Sequence, residues 1–168
     1  LPKASYDIVS ERLKYGKIVY DLSVFEKEIL YILRRLSVQE ISQLADISEG
    51  LENKIKAAAN SCNNLEDLIS LIKSKRYTRS RIQRVLLYAL LNITKKDLDE
   101  SYKTIPYIRV LGLNPKGKIL LSQLSTLNPK ISVITSVKKF LDESNNKVLK
   151  PMLQKDILAS NVYTLGYE

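Results

Sequence analysis

No histidine occurs anywhere in the 168 residues of this chain. Its absence removes the commonest general base and metal ligand, and with them Ser-His-Asp, Cys-His and histidine–zinc chemistry. Cysteine is nearly absent as well. Cys62 stands alone, which excludes an internal disulfide and a cysteine-based zinc cluster and suits a reducing cytosol. No apolar run approaches the roughly 20 residues needed to span a bilayer. Nor does any segment join Lys/Arg to the bulky exposed apolar face of an interfacial helix. A cytoplasmic protein with no membrane partner, no metal and no catalytic residue of its own is therefore expected. Internal repeats and low-complexity segments are lacking too. The chain begins at Leu1 without an initiator methionine, and Leu-Pro-Lys-Ala-Ser has no signal-peptide character, so a piece of something longer is expected.

Acid is missing from two long stretches, Leu68 to Lys96 and Ser101 to Leu141. The net charge of +9 is accordingly uneven, with eleven acids against nine bases up to Asp67 and seven against eighteen beyond it. Surfaces of one sign concentrate polyanions, mainly by releasing counterions from phosphates. Nucleic acid is the leading partner.

With 45% hydrophobic residues the chain can bury a core in one domain or two small ones. Its densest positive run, in Lys73 to Ile93, leads directly into its most apolar segment. Lys73, Lys75, Arg76, Arg79, Arg81 and Arg84 alternate there with Tyr77, Thr78, Ser80 and Gln83. Thr78 is placed to N-cap a helix from Arg79 to Ile93. Helical spacing gathers Ile82, Val85, Leu86, Ala89 and Ile93 on one face and Arg81, Arg84 and Tyr88 on a flank, while Leu87 and Leu91 cover the far side. The expected picture is a core helix, buried nearly all round in its second half, whose N-terminal end emerges carrying arginines. A charge run is usually a solvated face; the missing countercharge is what favours an anion site.

The rest of the chain reads as follows. A short helix over Leu1 to Gly16 has Ile8, Val9 and Leu13 as its apolar side. Capping-box spacing at Ser23–Glu26 and again at Ser37–Glu40 starts two more. Ser48 is expected to N-cap a helix that buries Leu51 and Ile55, with Gly50 marking a close backbone approach or a tight packing contact. Asn64 caps Leu65 to Lys73, and Thr94 to Asp97 caps another short helix. The pair around Lys75–Thr78 resembles a helix-turn-helix in outline, although the turn lacks the glycine often found there. From Pro106 the pattern changes. Tyr107 to Leu111 reads as a strand, Lys116 to Ser125 as a helix with Pro115 at its first position and its end before Asn128-Pro129, and Ile131 to Thr135 as a second strand. Gly112 to Gly117 has neither the spacing nor the Lys-Ser/Thr of a nucleotide loop and reads as a turn. Closing helices lie at Ser136 to Leu141 and Val148 to Tyr163, the last beginning at Pro151. The fold class is mainly α: a helical bundle over residues 1–104 that binds RNA, and a small α/β (β-α-β) appendage over 105–168 with a closing helix.

Ser48-Glu-Gly-Leu-Glu-Asn-Lys-Ile55, Lys75-Arg-Tyr-Thr-Arg-Ser-Arg-Ile-Gln-Arg84, Ile108-Arg-Val-Leu-Gly112 and Asp156-Ile-Leu-Ala-Ser-Asn-Val-Tyr163 together resemble the C-terminal region of the bacterial tRNA(Met) cytidine acetate ligases. The resemblance spans nearly the whole chain, departing at Lys54, where arginine is expected, and at Ser80, where threonine is. It implies an enzyme that activates acetate with ATP as acetyl-adenylate and acetylates N4 of the wobble cytidine of elongator tRNA(Met). It also implies that adenylation belongs to an N-terminal nucleotidyltransferase-type domain with a histidine-containing motif, a partner in cis. This histidine-free chain lacks that domain, so ATP is expected in the parent enzyme and no cofactor here.

On that reading Lys73, Lys75, Arg76, Arg79, Arg81 and Arg84 contact phosphates or bases, with Tyr77 and Tyr88 available to stack on unpaired bases. Ser48, Glu49, Gly50 and Asn53 form a second candidate set, facing the other domain. Two alternatives stand beside it: an interaction module docking its basic helix end on an acidic protein, and DNA binding with Arg81 and Arg84 in a major groove.

Overall fold

The computed structural model describes residues 2–48, 50–105, 107–127 and 131–167. The chain forms two compact units, one of residues 1–96 with 157–168 and one of residues 97–156. This division differs from the expected one at 104/105: α7 (Lys95–Tyr102) belongs almost wholly to the second unit, and the last helix, α10 (Leu149–Leu165), runs through both.

The first unit is helical. After α1 (Lys3–Lys14) come a 3-10 turn (Leu22–Phe25), α2 (Glu26–Arg35), α3 (Val38–Gln43), α4 (Leu51–Ser61), α5 (Leu65–Ile72) and α6 (Arg79–Leu90). Helix α2 packs on α4 and α6, α4 also meets α3 and α5, and α5 meets α6. Their facing stripes supply Ile29, Leu33, Ile41, Leu51, Ile55, Leu68, Ile72, Ile82 and Leu86, all fully buried. Helix α1 ends as expected at Gly16, whose φ is +61°. Its apolar side is not buried: Ile8, Val9 and Leu13 are exposed, and α1 buries nothing.

Local capping accounts for most helix starts. Ser37 and Glu40 form the expected reciprocal box, and Asn64 and Thr78 accept the backbone N–H of Asp67 and Arg81. The box expected at Ser23–Glu26 does not form. Asp21 instead accepts from Ser23 N, and the Glu26 carboxylate receives Leu65 N at 2.7 Å, capping α5 across a separation of 39 residues. A carboxylate at that N-terminus also interacts favourably with the α5 dipole.

The C-termini of α2 and α4 are closed reciprocally. From α4, Lys56 Nζ donates to the carbonyls of Leu33, Arg34 and Leu36 at 3.2, 2.6 and 2.6 Å. From α2, Arg34 donates to the carbonyls of Ala59 and Cys62 at 2.8 and 2.5 Å. Each helix thus carries the cation that satisfies the other's orphan carbonyls. Cys62 is buried beside them, and that burial pushes its thiol pKa up.

Helix α6 is shorter and less enclosed than its apolar run predicts. It stops at Leu90, with Asn92 at φ +49°, and Leu87 remains exposed. Gly166, just past α10, lies so close to the first unit's core that an added Cβ would stand 2.6 Å from Val19 Cγ2 and 2.9 Å from Phe25 Cζ.

The second unit holds the expected strand–helix–strand crossover. β1 (Ile108–Arg109) pairs in parallel with β2 (Val133–Ile134), Ile108 opposite Val133, and α8 (Pro115–Leu127) connects them. Both strands are shorter than their apolar runs. Pro115 occupies the first helical position. The expected stop at Asn128-Pro129 lies outside the described residues. Ser136 caps α9 (Val137–Glu143). The last helix starts at Leu149 rather than at Pro151, because proline within a first turn leaves no intrahelical N–H unmade; Asn146 Oδ1 receives the N–H groups of Val148 and Leu149. Arg109 and Asp156 form an ion pair at 2.5 Å, joining two of the stretches that carry the family resemblance.

Candidate nucleic-acid interface

The connection between α5 and α6 is pinned before it can present its charges. Ser74 N donates to Tyr77 O at 3.1 Å and Tyr77 N returns to Ser74 Oγ at 3.2 Å, closing residues 74–77 into a turn. Tyr77 is 4% exposed and belongs to the core. That corrects its expected role: a ring so placed cannot stack on a base. It serves instead as a floor for cations, with Lys54 Nζ at 5.5 Å and the Arg81 guanidinium at 5.6 Å from the ring centroid.

The arginines do not stand without countercharge. Asp46, at φ +60° in the segment before α4, receives Arg84 Nε at 2.9 Å and a second, shorter bond from Arg84 Nη2. Its carboxylate lies 3.6 Å from Arg81 Nε, and its carbonyl receives Arg81 Nη2 at 3.1 Å. Arg81 Nη2 also donates to Ser48 Oγ at 2.8 Å. Ser48 therefore takes Arg81 rather than capping α4, whose N-cap is Gly50. Arg79 makes a bidentate pair with Glu66, both bonds 2.6 Å. This pair lowers the Glu66 pKa and raises that of Arg79, while the hydrogen bonds that Arg84 donates to Asp46 raise that of Arg84. Linear sequence places Asp46 and Glu66 outside the basic run, and folding brings them back to it.

The two candidate sets therefore meet, Ser48 bonding Arg81 and Lys54 sharing the Tyr77 ring with it. Lys73, Lys75, Arg76 and Arg79 are exposed at the α6 end, Asn53 and Lys54 on the first turn of α4, and Arg81 lies half-buried between them. Tyr88 is half-buried farther along α6. Glu49 lies outside the described residues. Gly50 has φ +82° and nothing within 4 Å of where a Cβ would be. Glycine is required there by the left-handed backbone and not by a packing contact, which settles one of the two expectations for it. Asp46, Lys54 and Glu66 are the residues that inspection of the basic run missed. Lys54 alone was signalled, by its place in the first of the resembling stretches.

Elsewhere the chemistry is sparse. Among the described residues no group of His, Cys, Asp or Glu could hold a metal, and no helix is long and apolar enough to cross a membrane. The Gly112–Gly117 turn does not fit a triphosphate, since Asn114 Oδ1 takes Gly117 N at 2.7 Å and would lie 3.2 Å from an added Cβ. It is a helix start.

The family model described as HIGH Nucleotidyl Transferase matches residues 1–168, the whole chain. The chain belongs to the HIGH nucleotidyl transferase family. It is 36% identical to the tRNA(Met) cytidine acetate ligase of Acetivibrio thermocellus over 170 aligned positions, covering 100% of this chain and 40% of that protein. The corresponding ligase of Caldanaerobacter subterraneus is 39% identical with the same coverage. Two solved structures share the fold: Thermotoga maritima TmcAL in its apo form, at TM-score 0.87 and 27% identity over 99% of this chain and 41% of that one, and the same protein bound with alpha-thio ATP, at 0.85 and 26%. The chain thus spans about two-fifths of the length of these relatives.

This membership corrects one expectation. The resemblance places this chain in the C-terminal region and assigns nucleotidyl transfer, with ATP, to a domain lying wholly outside it. The nucleotidyl transferase model instead runs through every residue here, so ATP becomes a ligand to test on this family member's own side chains. What they can offer is bounded by composition. Without histidine, this family member can contribute cations, carboxylates, amides, tyrosine and other hydroxyls, and one thiol.

Proposed function

We propose that this chain is a tRNA-holding part of a tRNA(Met) cytidine acetate ligase, with elongator tRNA(Met) held on the face where α4 and the start of α6 meet. One observation carries the reading: Arg81 bonds Ser48 and Asp46, drawing the stretches 48–55 and 75–84 into a single cationic surface. The similarity to ligases named for tRNA(Met) supplies the substrate. Lys54, Lys73 and Lys75 attract phosphates, and Arg79 can exchange its exposed carboxylate partner for a phosphate of like geometry. In this reading the chain's share in acetyl transfer is binding and orientation of the tRNA, and a proton acceptor at the cytidine amine cannot be a histidine of this chain. ATP, whose alpha-thio analogue is bound by the Thermotoga relative, is part of the same proposal: the lysines of this face fit an anionic group, while no described glycine-rich turn does. Cytoplasmic location follows from the substrate.

Titration with unmodified tRNA(Met) across a salt series, beside duplex DNA and ATP, tests the reading. Binding should weaken with salt, and Lys54→Gln or Lys75→Gln should each flatten the log–log slope by about 0.7–0.9. No salt-dependent preference for tRNA over duplex DNA would refute it. Capture of an acidic protein in place of RNA would favour the docking-module alternative.

A further inference from the structure

Two arginines of this face, Arg81 and Arg84, are both tied to Asp46, and that assigns them a different task from the lysines. Arg81 is the more enclosed: its side chain is 22% exposed, and its Nε is buried without a hydrogen bond. Its other contacts are the Asp46 carbonyl, Ser48 Oγ and the face of Tyr77. Arg84 is more exposed, at 52%, but two of its nitrogens converge on one Asp46 oxygen. A guanidinium meeting a carboxylate in this way has its Nε–Nη2 edge already occupied. Asp46 itself stands in the left-handed region, which aspartate tolerates at a cost and which its neighbours must hold. Just beyond lies a second left-handed residue, Gly50, from which α4 starts.

We infer that Asp46, Arg81 and Arg84 form an internal clamp that positions the segment Asp46–Ser48 and the first turn of α4, so that Asn53 and Lys54 meet the RNA backbone in a preset arrangement. Arg81 and Arg84 are positioning residues behind that surface. The inference rests on the proposed function for its ligand, and on geometry alone for the clamp.

The two readings of these arginines predict opposite signs for Asp46→Asn. Asparagine accepts the left-handed backbone at least as well as aspartate, so the substitution removes charge without adding strain. If Arg81 and Arg84 are phosphate contacts restrained by Asp46, freeing them strengthens tRNA(Met) binding and steepens its salt dependence. If they form a clamp, binding weakens by about three- to tenfold, the loss expected when a preset side chain must be ordered anew, although the face has gained a positive charge. Ser48→Ala, which removes only the Arg81 acceptor, should weaken binding in the same direction, and it serves if the Asp46 variant does not fold. Hydrogen exchange reads the clamp without any ligand. Amides of Ile47, Ser48 and Leu51–Lys54 should exchange faster in both variants, with the α5 and α6 interiors unchanged. Stronger binding in Asp46→Asn, or unaltered exchange in those amides, overturns the clamp. Absence of tRNA binding by the wild type, with the exchange change present, overturns the proposed function and leaves the clamp standing.

Discussion

Removing the Lys56 ammonium should cost this protein more than any other single surface lysine. In Lys56→Met the stem is kept and the three carbonyl contacts at the end of α2, 2.6–3.2 Å long, are lost. A cation at a helix C-terminus stabilises by about 0.3–1 kcal/mol, rising to ~2 kcal/mol when partly buried. Hydrogen bonds from a charged donor contribute on the order of 1.5–3 kcal/mol where they are shielded. The carbonyls of Leu33 and Leu36 are part-buried and that of Arg34 is exposed, so water recovers part of the loss. A net penalty of about 2 kcal/mol follows, equivalent to roughly 4–8 °C in Tm for a domain of this size. Chemical denaturation followed by circular dichroism measures it, with Lys3→Met in the unpacked α1 as the comparison. Helix α4 would also lose one of its polar ties to α2, leaving the Arg34 bonds to Ala59 and Cys62, so Lys56→Met should weaken tRNA binding as well. A penalty below about 0.5 kcal/mol, within the spread of ordinary surface substitutions, would refute the capping argument for Lys56.

Gly50→Ala should destabilise by about 1–2 kcal/mol, since open space at the Cβ leaves only the φ of +82° to oppose it; Gly50→Asn should cost measurably less in the same melts. Gly166→Ala meets the opposite obstacle, with Val19 and Phe25 closer than any Cβ contact permits. It should lower stability by about 1–3 kcal/mol through overpacking and speed hydrogen exchange in the last turn of α10. The Ser37–Glu40 box predicts a pH effect. Hydrogen bonds from Ser37 hold the Glu40 pKa below its ordinary 4.5, so the box's stabilisation is fully present above that value and is lost as pH falls through the depressed one. In Ser37→Ala an NMR titration should find Glu40 shifted up toward 4.5, and the acid limb of the stability curve should flatten.

Where a feature depends on neighbours within one helical turn, its residues were readable in order. Ser37, Asn64 and Thr78 cap the helices they precede, and Pro115 opens α8, because cap geometry involves only the next three or four residues. Ser23–Glu26 has the same spacing and failed for a tertiary reason: Leu65 N offers Glu26 a partner that the local box cannot match. The basic run was legible as a concentration of charge, and its two candidate sets do converge. Its assignment as an unpaired anion site was not legible, since Asp46 lies 38 residues from Arg84 and Glu66 lies 13 from Arg79. Tyr77 looked like an exposed aromatic because its neighbours in sequence are polar, and only the meeting of α4, α5 and α6 shows that it belongs to the core.

By itself the sequence determined what chemistry is excluded and where helices begin. A missing histidine cannot be supplied by folding, and caps and apolar periodicity act over distances shorter than a helical turn or two. Tertiary structure alone decided the partners of each charge. Which carboxylate meets which guanidinium depends on helices α3 to α6 coming together, and that packing turned a run of apparently free arginines into a clamp with lysines in front of it.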